Sequence, residues 1–335
     1  MMFEFASAEN IGDRKEQQDR VVVMSHPSAP DVVLALLTDG MGGHTGGALA
    51  AQSVVDAIVP LFGAFQPGTG PVDEWLRAMI TAAHEKVSAA GQGYNRDPRA
   101  TCVLALAQPG RIHWAHCGDS RLYLFRDGEF VERTEDHSLV EILLQQGKIT
   151  EAEVHTHPER SKLFTSLGGP EPPQIATSGI DDCAPRDTVL LASDGLWAYF
   201  RPQEMADLID YRNLTQSCDR LIALARRRAH GSGDNLSLAM MRAPVVAKRG
   251  LISSLFGQRA IEPSPLEDAR RFMIKYLRAI MGPGADDLTA QLERCKTAAA
   301  LTATIARCAD SVEGHGGAAR ATAFVARAKD LLEDA

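Results

Sequence analysis

The chain has 335 residues, of which 45% are hydrophobic and 23% are charged, and its formal net charge is −8. This length can bury a sizeable core in one large domain with a small one beside it, and the composition is that of a globular protein in solution. The acidic balance argues against nucleic-acid binding, which needs a basic face.

No apolar stretch approaches the length of a membrane span, so we expect no transmembrane segment. The N-terminal stretch lacks the basic and apolar regions of a secretory signal. The six cysteines show neither CxxC pairing nor metal-ligand spacing, which predicts reduced thiols. Together these features indicate a cytoplasmic protein.

Strand-like segments dominate the first part of the chain, and two helical stretches interrupt them. The predicted strands are 19–24, 32–38, 101–108, 112–117, 121–126 and, after an Asp-Gly turn, 129–134. The predicted helices are 48–65 and 72–90. Consecutive strands followed by paired helices predict an antiparallel sheet layered with helices, which is an α+β fold.

A loop and five further elements complete this first domain, which ends at residue 243. A helix at 138–146 leads into the Pro/Gly-rich stretch 167–173, whose composition predicts an exposed loop or flap over a site. The remaining elements are a strand at 189–192, helices at 202–210 and 218–230, and a strand at 236–241.

The amino-acid composition changes after residue 243. Residues 244–265 are rich in Pro, Lys, Gly, Ser and Arg and predict a linker. Residues 266–335 contain three helical segments and no strand candidate, which predicts a small all-α module. The helices are 266–281, 287–312 and 318–332. Nothing in this module suggests catalysis.

An aspartate-glycine step occurs twice, each time directly after an apolar run that predicts a buried strand. The two steps are Asp39-Gly40 and Asp194-Gly195. Each strand would deliver a carboxylate to the rim of the core. Asp234 is the reverse case, because it stands just before an apolar run. Three strand-end carboxylates far apart in sequence indicate a shared cation.

Two more aspartates extend the set. Asp119 lies at a tight turn between two predicted strands, and Asp19 follows the polar stretch 14–18. The candidate ligands are therefore five aspartates and the Gly40 carbonyl, with no cysteine. Ligands that are all oxygen favour Mg²⁺ or Mn²⁺ over zinc.

These carboxylates outnumber what one hydrated ion needs, which predicts a two-metal centre with Asp39 as the bridging ligand. Two ions about 3.5–4 Å apart generate hydroxide near neutral pH and stabilise an in-line displacement at phosphorus. An arginine beside such a centre suits a phosphate, since its planar fork donates two parallel hydrogen bonds. Arg14 is our candidate for this role.

Six motifs in one order carry a family resemblance. They are Arg14 followed by Asp19, then Asp39-Gly40-Met41-Gly42-Gly43-His44, Gly118-Asp119-Ser120-Arg121, Glu135-Asp136-His137-Ser138, Ser193-Asp194-Gly195-Leu196-Trp197 and Gly233-Asp234-Asn235. Over about residues 3–243 the chain resembles the PP2C-type metal-dependent serine/threonine phosphatases in their bacterial form. The resemblance implies a four-layer α-β-β-α sandwich of two antiparallel sheets flanked by helices, here followed by the all-α module.

The resemblance also implies roles for the matching residues. Asp39 bridges both ions, the Gly40 carbonyl faces the first, and Asp194 and Asp234 hold the second. Asp19 anchors metal-bound water, Arg14 grips the phosphate, and Asp119 helps to bind a third, weaker ion. The segment 141–173 corresponds to a mobile flap near the substrate.

Each candidate also has a structural interpretation, which the sequence leaves open. Asp39 or Asp194 taken singly is an ordinary turn residue, and Asp19 could pair with Arg14 or Arg20 on the surface. His44 is a candidate proton donor to the leaving oxygen, or a structural residue of a Gly-rich loop. Asn235 is predicted to orient Asp234, with a strand-start cap as the alternative.

The resemblance implies an enzyme that hydrolyses phosphoserine and phosphothreonine in proteins with metal-activated water and without a covalent phosphoenzyme. Its substrates would be the phosphorylated proteins of a bacterial Ser/Thr kinase. The alternative is a signalling or adaptor protein with negligible turnover, in which the C-terminal helices bind a partner or a second copy of the chain.

Overall fold

The structure is a computed structural model, and it describes residues 2–42, 46–92, 97–154, 157–210, 213–244 and 265–333. The chain forms two compact units, Met1–Val246 and Ala247–Ala335. The first unit is built on two antiparallel sheets and the second on helices. All but the two end residues of the predicted linker 244–265 lie outside the described residues.

One sheet of the first unit has five strands. They are β1 (Glu4–Asn10), β7 (Arg121–Arg126), β8 (Glu129–Arg133), β10 (Thr188–Ala192) and β11 (Leu236–Arg242). Their order is β1-β11-β10-β7-β8, and every neighbouring pair is antiparallel. The predicted hairpin turn joins β7 to β8, with Asp127 at φ 52° and Gly128 at φ 79°. These left-handed conformations are those that an Asp-Gly pair supplies in tight hairpins.

The other sheet carries the remaining strands. They are β2 (Asp19–His26), β3 (Ala29–Met41), β4 (Arg99–Ala100), β5 (Cys102–Gln108), β6 (Arg111–Cys117) and β9 (Ala176–Ile180). The order is β2-β3-β5-β6-β9, with β4 paired to the far end of β3. This pairing is also antiparallel throughout.

Alternation along β3 divides its apolar side chains between two layers of core. Val33, Ala35 and Leu37 face the other sheet and pack in the cluster that fills the space between the sheets. Leu34 and Leu36 face the opposite way and pack in a cluster with helix residues. Successive side chains of a strand point to opposite faces, so an unbroken apolar run marks a strand that is buried on both sides.

Helices cover the two outer faces of this sandwich. They are α1 (Gly46–Ala64) and α2 (Val72–Gly91) on one side, and α6 (Pro202–Leu208) and α7 (Leu214–Arg228) on the other, with the short helices α3 (Leu139–Gln145), α4 (Glu151–Val154) and α5 (Asp194–Trp197) at the ends of strands and loops. The predicted four-layer sandwich is therefore confirmed.

Helix α1 corrects one expectation from the sequence. With 19 residues and a mean hydropathy of 1.5 it is long and apolar enough to cross a membrane, although no apolar stretch was expected to approach that length. The helix contains many Ala and Gly residues, so a search for large aliphatic side chains does not recognise it as apolar. Ala50, Val54, Ile58 and Phe62 are fully buried against the sheet, and such a core helix meets the same criterion as a membrane span.

Several element boundaries also differ from the predictions. Strands β1 and β9 were missed, because their burial is irregular and β9 has polar residues and Gly179 at the edge of its sheet. The helix predicted from residue 218 already begins at Leu214, where the Asn213 side chain accepts a hydrogen bond from the Gln216 amide at 3.0 Å. Such a cap accepts a hydrogen bond from a first-turn amide that has no partner within the helix.

The C-terminal unit is helical, as predicted. Its elements are α8 (Pro265–Met281), a 3₁₀ turn (Gly282–Ala285), α9 (Asp286–Arg294), α10 (Ala298–Gly316) and α11 (Ala318–Glu333). Met273, Leu277, Ile305 and Phe324 are among the buried residues of its core. The single helix predicted over 287–312 is in fact two, because Thr297 caps a new helix by accepting the Ala300 amide at 3.2 Å.

All six cysteines are free thiols, as expected from their spacing.

Candidate metal centre

Two of the predicted ligands face each other across the β2–β3 pair. Asp19 begins β2 and is in register with Asp39 near the end of β3. Asp19 is only 1% exposed, so the interpretation of this residue as half of a surface ion pair is wrong. A side chain at Gly40 would place its Cβ 1.9 Å from the Gly47 carbonyl oxygen of α1. Glycine is therefore required where the strand meets the helix.

Asp194 and Asp234 lie together at the ends of two neighbouring strands in the other sheet. Ser193, between β10 and α5, donates its amide to the Ser237 carbonyl, and its hydroxyl accepts the Ser237 amide, both at 3.1 Å. A Cβ on Gly195 would lie 2.0 Å from the Asn235 carbonyl oxygen. The Asp-Gly step thus brings its backbone close to the turn that carries Asp234.

The aspartates of both sheets share one electrostatic environment. Burial raises the pKa of Asp19 to about 7, and repulsion from Asp194 and Asp234 adds to the rise while the nearby hydroxyls of Ser193 and Ser237 oppose it. Burial likewise raises the pKa of Asp194 to about 6, with repulsion from Asp234 as the next cause. Buried like charges favour the protonated acids in this way.

Asp39 lies at the middle of this repulsion. Burial raises its pKa well above the ordinary value, and Asp19, Asp194, Asp119 and Asp234 all raise it further. All five predicted aspartates therefore converge, although they come from distant parts of the chain.

The donor set fits a hard divalent cation. Oδ2 of Asp19 is buried without a hydrogen-bond partner, and the surrounding carboxylates repel one another. A cation of charge +2 would satisfy this oxygen and remove the repulsion. Among the described residues, no three His, Cys, Asp or Glu side chains are already arranged so that they could hold a metal ion.

Arg14 lies at the open side of the acidic cluster. Its Nη2 donates to Asp234 Oδ2 at 2.5 Å, and its side chain is 59% exposed. Asp234 is the main cause of the raised pKa of Arg14, and Asp194 and Asp39 contribute as well. An exposed guanidinium that these carboxylates attract is positioned to meet an incoming phosphate.

Asn235 holds the loop on which Arg14 lies. Its Nδ2 donates to the carbonyls of Ile11 at 2.8 Å and Glu16 at 3.1 Å, and its Oδ1 accepts the Gln18 amide at 2.7 Å. It contacts Asp234 through its backbone amide, which donates to Asp234 Oδ1 at 2.8 Å. The side chain of Asn235 therefore orients the Arg14 loop, a role that the sequence did not suggest.

Asp119 lies in the loop between β6 and β7, and a chain of hydroxyls connects that loop to Asp39. The Asp39 amide donates to Thr101 Oγ1 at 3.0 Å, and Thr101 Oγ1 lies 2.6 Å from Ser120 Oγ. Trp197 Nε1 donates to the Asp119 carbonyl at 3.0 Å. Sequence reasoning missed Thr101 and Ser120, whose only signal is their place beside predicted ligands and strands.

A buried ion pair supports the same loop. Arg121 donates to both oxygens of Asp136, at 2.8 and 2.7 Å, and its guanidinium carbon lies 3.5 Å from the centre of the Trp197 ring. All three residues belong to motifs of the sequence, but no role was assigned to the ion pair. Its two members are 15 residues apart, so only the fold reveals that they meet.

The metal-binding and catalytic roles that the sequence predicts for these residues remain predictions. His44 lies outside the described residues. Gly40 is among the described residues, and the contact of its carbonyl with an ion is still a prediction.

A family model described as protein phosphatase 2C matches residues 8–236, which include all five aspartates and Arg14. The chain belongs to the protein phosphatase 2C family. Proteins of this family are metal-dependent, and curated relatives of this chain are named serine/threonine phosphatases.

Three relatives show how far the likeness to this family extends. The serine/threonine protein phosphatase PstP of Mycobacterium tuberculosis is 34% identical over 209 residues, 62% of this chain and 40% of PstP. A putative protein phosphatase 2C-type of Streptococcus pyogenes is 29% identical over 232 residues, 68% of this chain and 93% of that protein. The catalytic domain of PstP, solved in complex with two manganese ions, has a TM-score of 0.62 at 28% identity, covering 72% of this chain and 98% of that one.

This chain thus spans less than half the length of PstP, and nearly the whole of the streptococcal protein matches it. The family match ends at residue 236, so it does not reach the C-terminal helices.

Proposed function

We propose that this protein hydrolyses phosphoserine and phosphothreonine monoesters in proteins at a centre of two divalent metal ions. One observation carries the proposal: five aspartates and Arg14 converge at one edge of a protein phosphatase 2C sandwich. The manganese ions in the related PstP domain support the choice of metal.

The proposed roles follow the chemistry of each group. Asp39 would serve both ions together with the Gly40 carbonyl, Asp194 and Asp234 would hold the second ion, and Asp19 would hold metal-bound water. When bound, the ions would supply an activated water and neutralise the charge on the phosphate and leaving-group oxygens. Arg14 leaves Asp234 and donates its fork to two phosphate oxygens. His44 protonates the leaving serine or threonine oxygen.

The domain organisation is part of the same proposal. Residues 1–243 form the phosphatase domain, 244–265 the linker and 266–335 a helical module. Phosphorylated proteins made by a Ser/Thr kinase are the substrate class. No observation on the helical module favours the alternative adaptor function.

The proposal is tested by the hydrolysis of p-nitrophenyl phosphate with Mn²⁺, with Mg²⁺ and with EDTA. We expect activity with either metal and none with EDTA. Asp39→Asn and Asp194→Asn should each lower kcat by about a hundredfold or more, since a missing ligand leaves the ions misplaced. Asp56→Asn, on the exposed face of α1, is the matched control and should retain full activity. Full turnover in EDTA or by Asp39→Asn would overturn the proposal.

The same assay examines a third ion. Asp119→Asn should raise the metal concentration needed for half-maximal activity, because Asp119 would share a weaker ion with Asp194. An unchanged metal titration would remove the third ion from the scheme and leave the two-ion centre intact.

A further inference from the structure

A cavity of about 350 Å³ is lined in part by His137, which contacts Gly118 in the loop of Asp119. It opens between β8, an edge strand of one sheet, and β9, an edge strand of the other. Helix α3 and Phe164 close its sides. The proposed phosphatase chemistry uses none of the residues that line it.

The lining carries an excess of negative charge. Four carboxylates line the cavity, and two of them are already paired: Asp136 with Arg121 at 2.7 Å and Glu141 with Arg133 at 3.0 Å. The other two, Glu132 and Glu135, are exposed and form no ion pair within the part of the chain that the structure describes. They leave the cavity attractive to a cation.

A buried histidine adds an acceptor. His116 lines the cavity and is 4% exposed, and its Nε2 lies 2.8 Å from the Glu135 carbonyl oxygen. The Nε2–H must donate in this contact, so Nδ1 carries a lone pair. Nδ1 is buried and has no hydrogen-bond partner.

The mouth of the cavity is apolar. Ile142 is 38% exposed and Phe164 47% exposed, although both are large hydrophobic residues. An aliphatic stem can pack on such side chains while its charged end continues inward. A cation can also lie against the face of the Phe164 ring. The unpaired carboxylates and the apolar side chains of the lining match the two parts of a lysine or arginine side chain.

The cavity wall is joined to the candidate metal centre. The His137 amide donates to the Gly118 carbonyl at 3.0 Å, and the Gly118 amide donates to His137 Nδ1 at 3.2 Å. Gly118 precedes Asp119, and His137 lines the cavity. A protein segment with its phosphate at the metal centre therefore has a second anchoring point next to it.

From these observations we infer that the cavity binds a lysine or arginine side chain of the phosphoprotein substrate, so that the enzyme selects phosphorylated sites with a nearby basic residue. The inference rests on the proposed phosphatase function, which it extends to substrate selection.

The first experiment compares phosphothreonine peptides that differ only in one arginine, which is moved through the positions on either side of the phosphorylated residue. At the position that reaches the cavity, kcat/KM should exceed that of the alanine peptide by about fivefold, as expected for a partly exposed ion pair with an aromatic contact. This preference should fall as salt is raised.

The second experiment repeats the comparison with Glu132→Gln/Glu135→Gln, which removes the unpaired charges and preserves side-chain shape. The ratio of kcat/KM for the basic peptide to that for the alanine peptide should fall to about one. Glu85→Gln removes an exposed carboxylate of α2 outside the cavity and is the matched control. The ratio for this control should equal that of the wild type.

The third experiment needs no catalysis. The unphosphorylated arginine peptide, labelled with a fluorophore, should bind the full-length protein by anisotropy, and the double variant should bind it more weakly. No preference in the wild type, or the same loss in the double variant and in Glu85→Gln, would overturn the inference.

These measurements separate the two ideas. If p-nitrophenyl phosphate is hydrolysed and the peptides show no basic preference, the inference alone fails. If no substrate is hydrolysed, the proposed function fails, and the binding measurement still decides whether the cavity takes a cationic side chain.

Discussion

His137 joins its own loop to the loop of Gly118 and also contacts the imidazole of His116. Its backbone amide and ring Nδ1 both bind Gly118, and its ring stacks on His116 with centroids 4.7 Å apart. Burial is the main cause of the low pKa of His137, about 4, and the neighbouring His116 contributes to it. The neutral ring is the form that can accept the Gly118 amide, so burial and the hydrogen bond favour the same protonation state.

The lowered pKa predicts a pH dependence of stability. Between the ordinary pKa of 6.5 and about 4, the unfolded chain binds the His137 proton and the folded protein does not. His137 therefore stabilises the fold above pH 6.5, and this contribution is lost as the pH falls through that window. From pH 7 to pH 5 the loss should be about 2 kcal/mol.

The variant His137→Asn isolates this contribution. Its side-chain oxygen can accept the Gly118 amide but does not titrate. Urea unfolding at pH 7 and pH 5, for both proteins in EDTA, should show that the wild type loses about 2 kcal/mol more than the variant. The raised pKa values of Asp19 and Asp194 act in the opposite direction, but they are common to both proteins and cancel in the difference. Equal losses would contradict the assigned role of His137.

At the scale of single residues, the candidate ligands could be proposed from the sequence, but the residues that support them could not. Asp39 and Asp194 are visible because each follows an apolar run that ends in glycine. Thr101 and Ser120 are ordinary hydroxyl residues, and their 2.6 Å contact depends on a turn that brings two strands together. Nothing in their local sequence distinguishes them from other threonines and serines.

At the scale of secondary-structure elements, a buried ion pair connects β7 to the turn after β8. Arg121 begins β7, and Asp136 precedes α3; their side chains are 7% and 2% exposed. Both oxygens of Asp136 accept from the guanidinium. A pair in this geometry is worth little against an apolar replacement, but removal of one partner leaves the other charge buried and alone.

Asp136→Asn should therefore destabilise the protein by about 3–5 kcal/mol, measured as the free energy of unfolding in urea. Asp97→Asn provides the matched control, because Asp97 pairs with Arg99 at a similar distance of 2.8 Å but is 72% exposed. This exposed pair should contribute less than about 1 kcal/mol. Similar losses in the two variants would show that burial does not set the cost.

Prediction of the elements succeeded where burial was regular. Strand β10 is buried at every position and was predicted almost to its ends. Strand β9, with residues Ala-Thr-Ser-Gly-Ile, lies at a sheet edge and buries little, so its pairing with β6 is a consequence of the fold that its own residues do not signal. The break between α9 and α10 depends on one capping threonine inside a pattern that is otherwise helical.

In the whole molecule, each of the two units has its own core. The three apolar clusters of the sheet unit draw on residues from Phe3 to Ala243, and the cluster of the helical unit on residues from Leu266 to Leu332. The family match is likewise confined to residues 8–236. A domain with its own core is expected to fold alone.

We therefore expect that a chain ended after Pro244 folds and hydrolyses p-nitrophenyl phosphate with a kcat/KM within about twofold of the full-length protein, because every group of the candidate centre belongs to the sheet unit. In urea, the truncated protein should show one transition. The full-length protein should show an additional one from the helical unit, which has fewer residues and a smaller core to stabilise it. Circular dichroism follows both transitions, and the same samples serve for the activity assay. A truncated chain that is folded but more than about tenfold less active would mean that the C-terminal helices take part in catalysis, and a chain that fails to fold would mean that the two units depend on each other for stability.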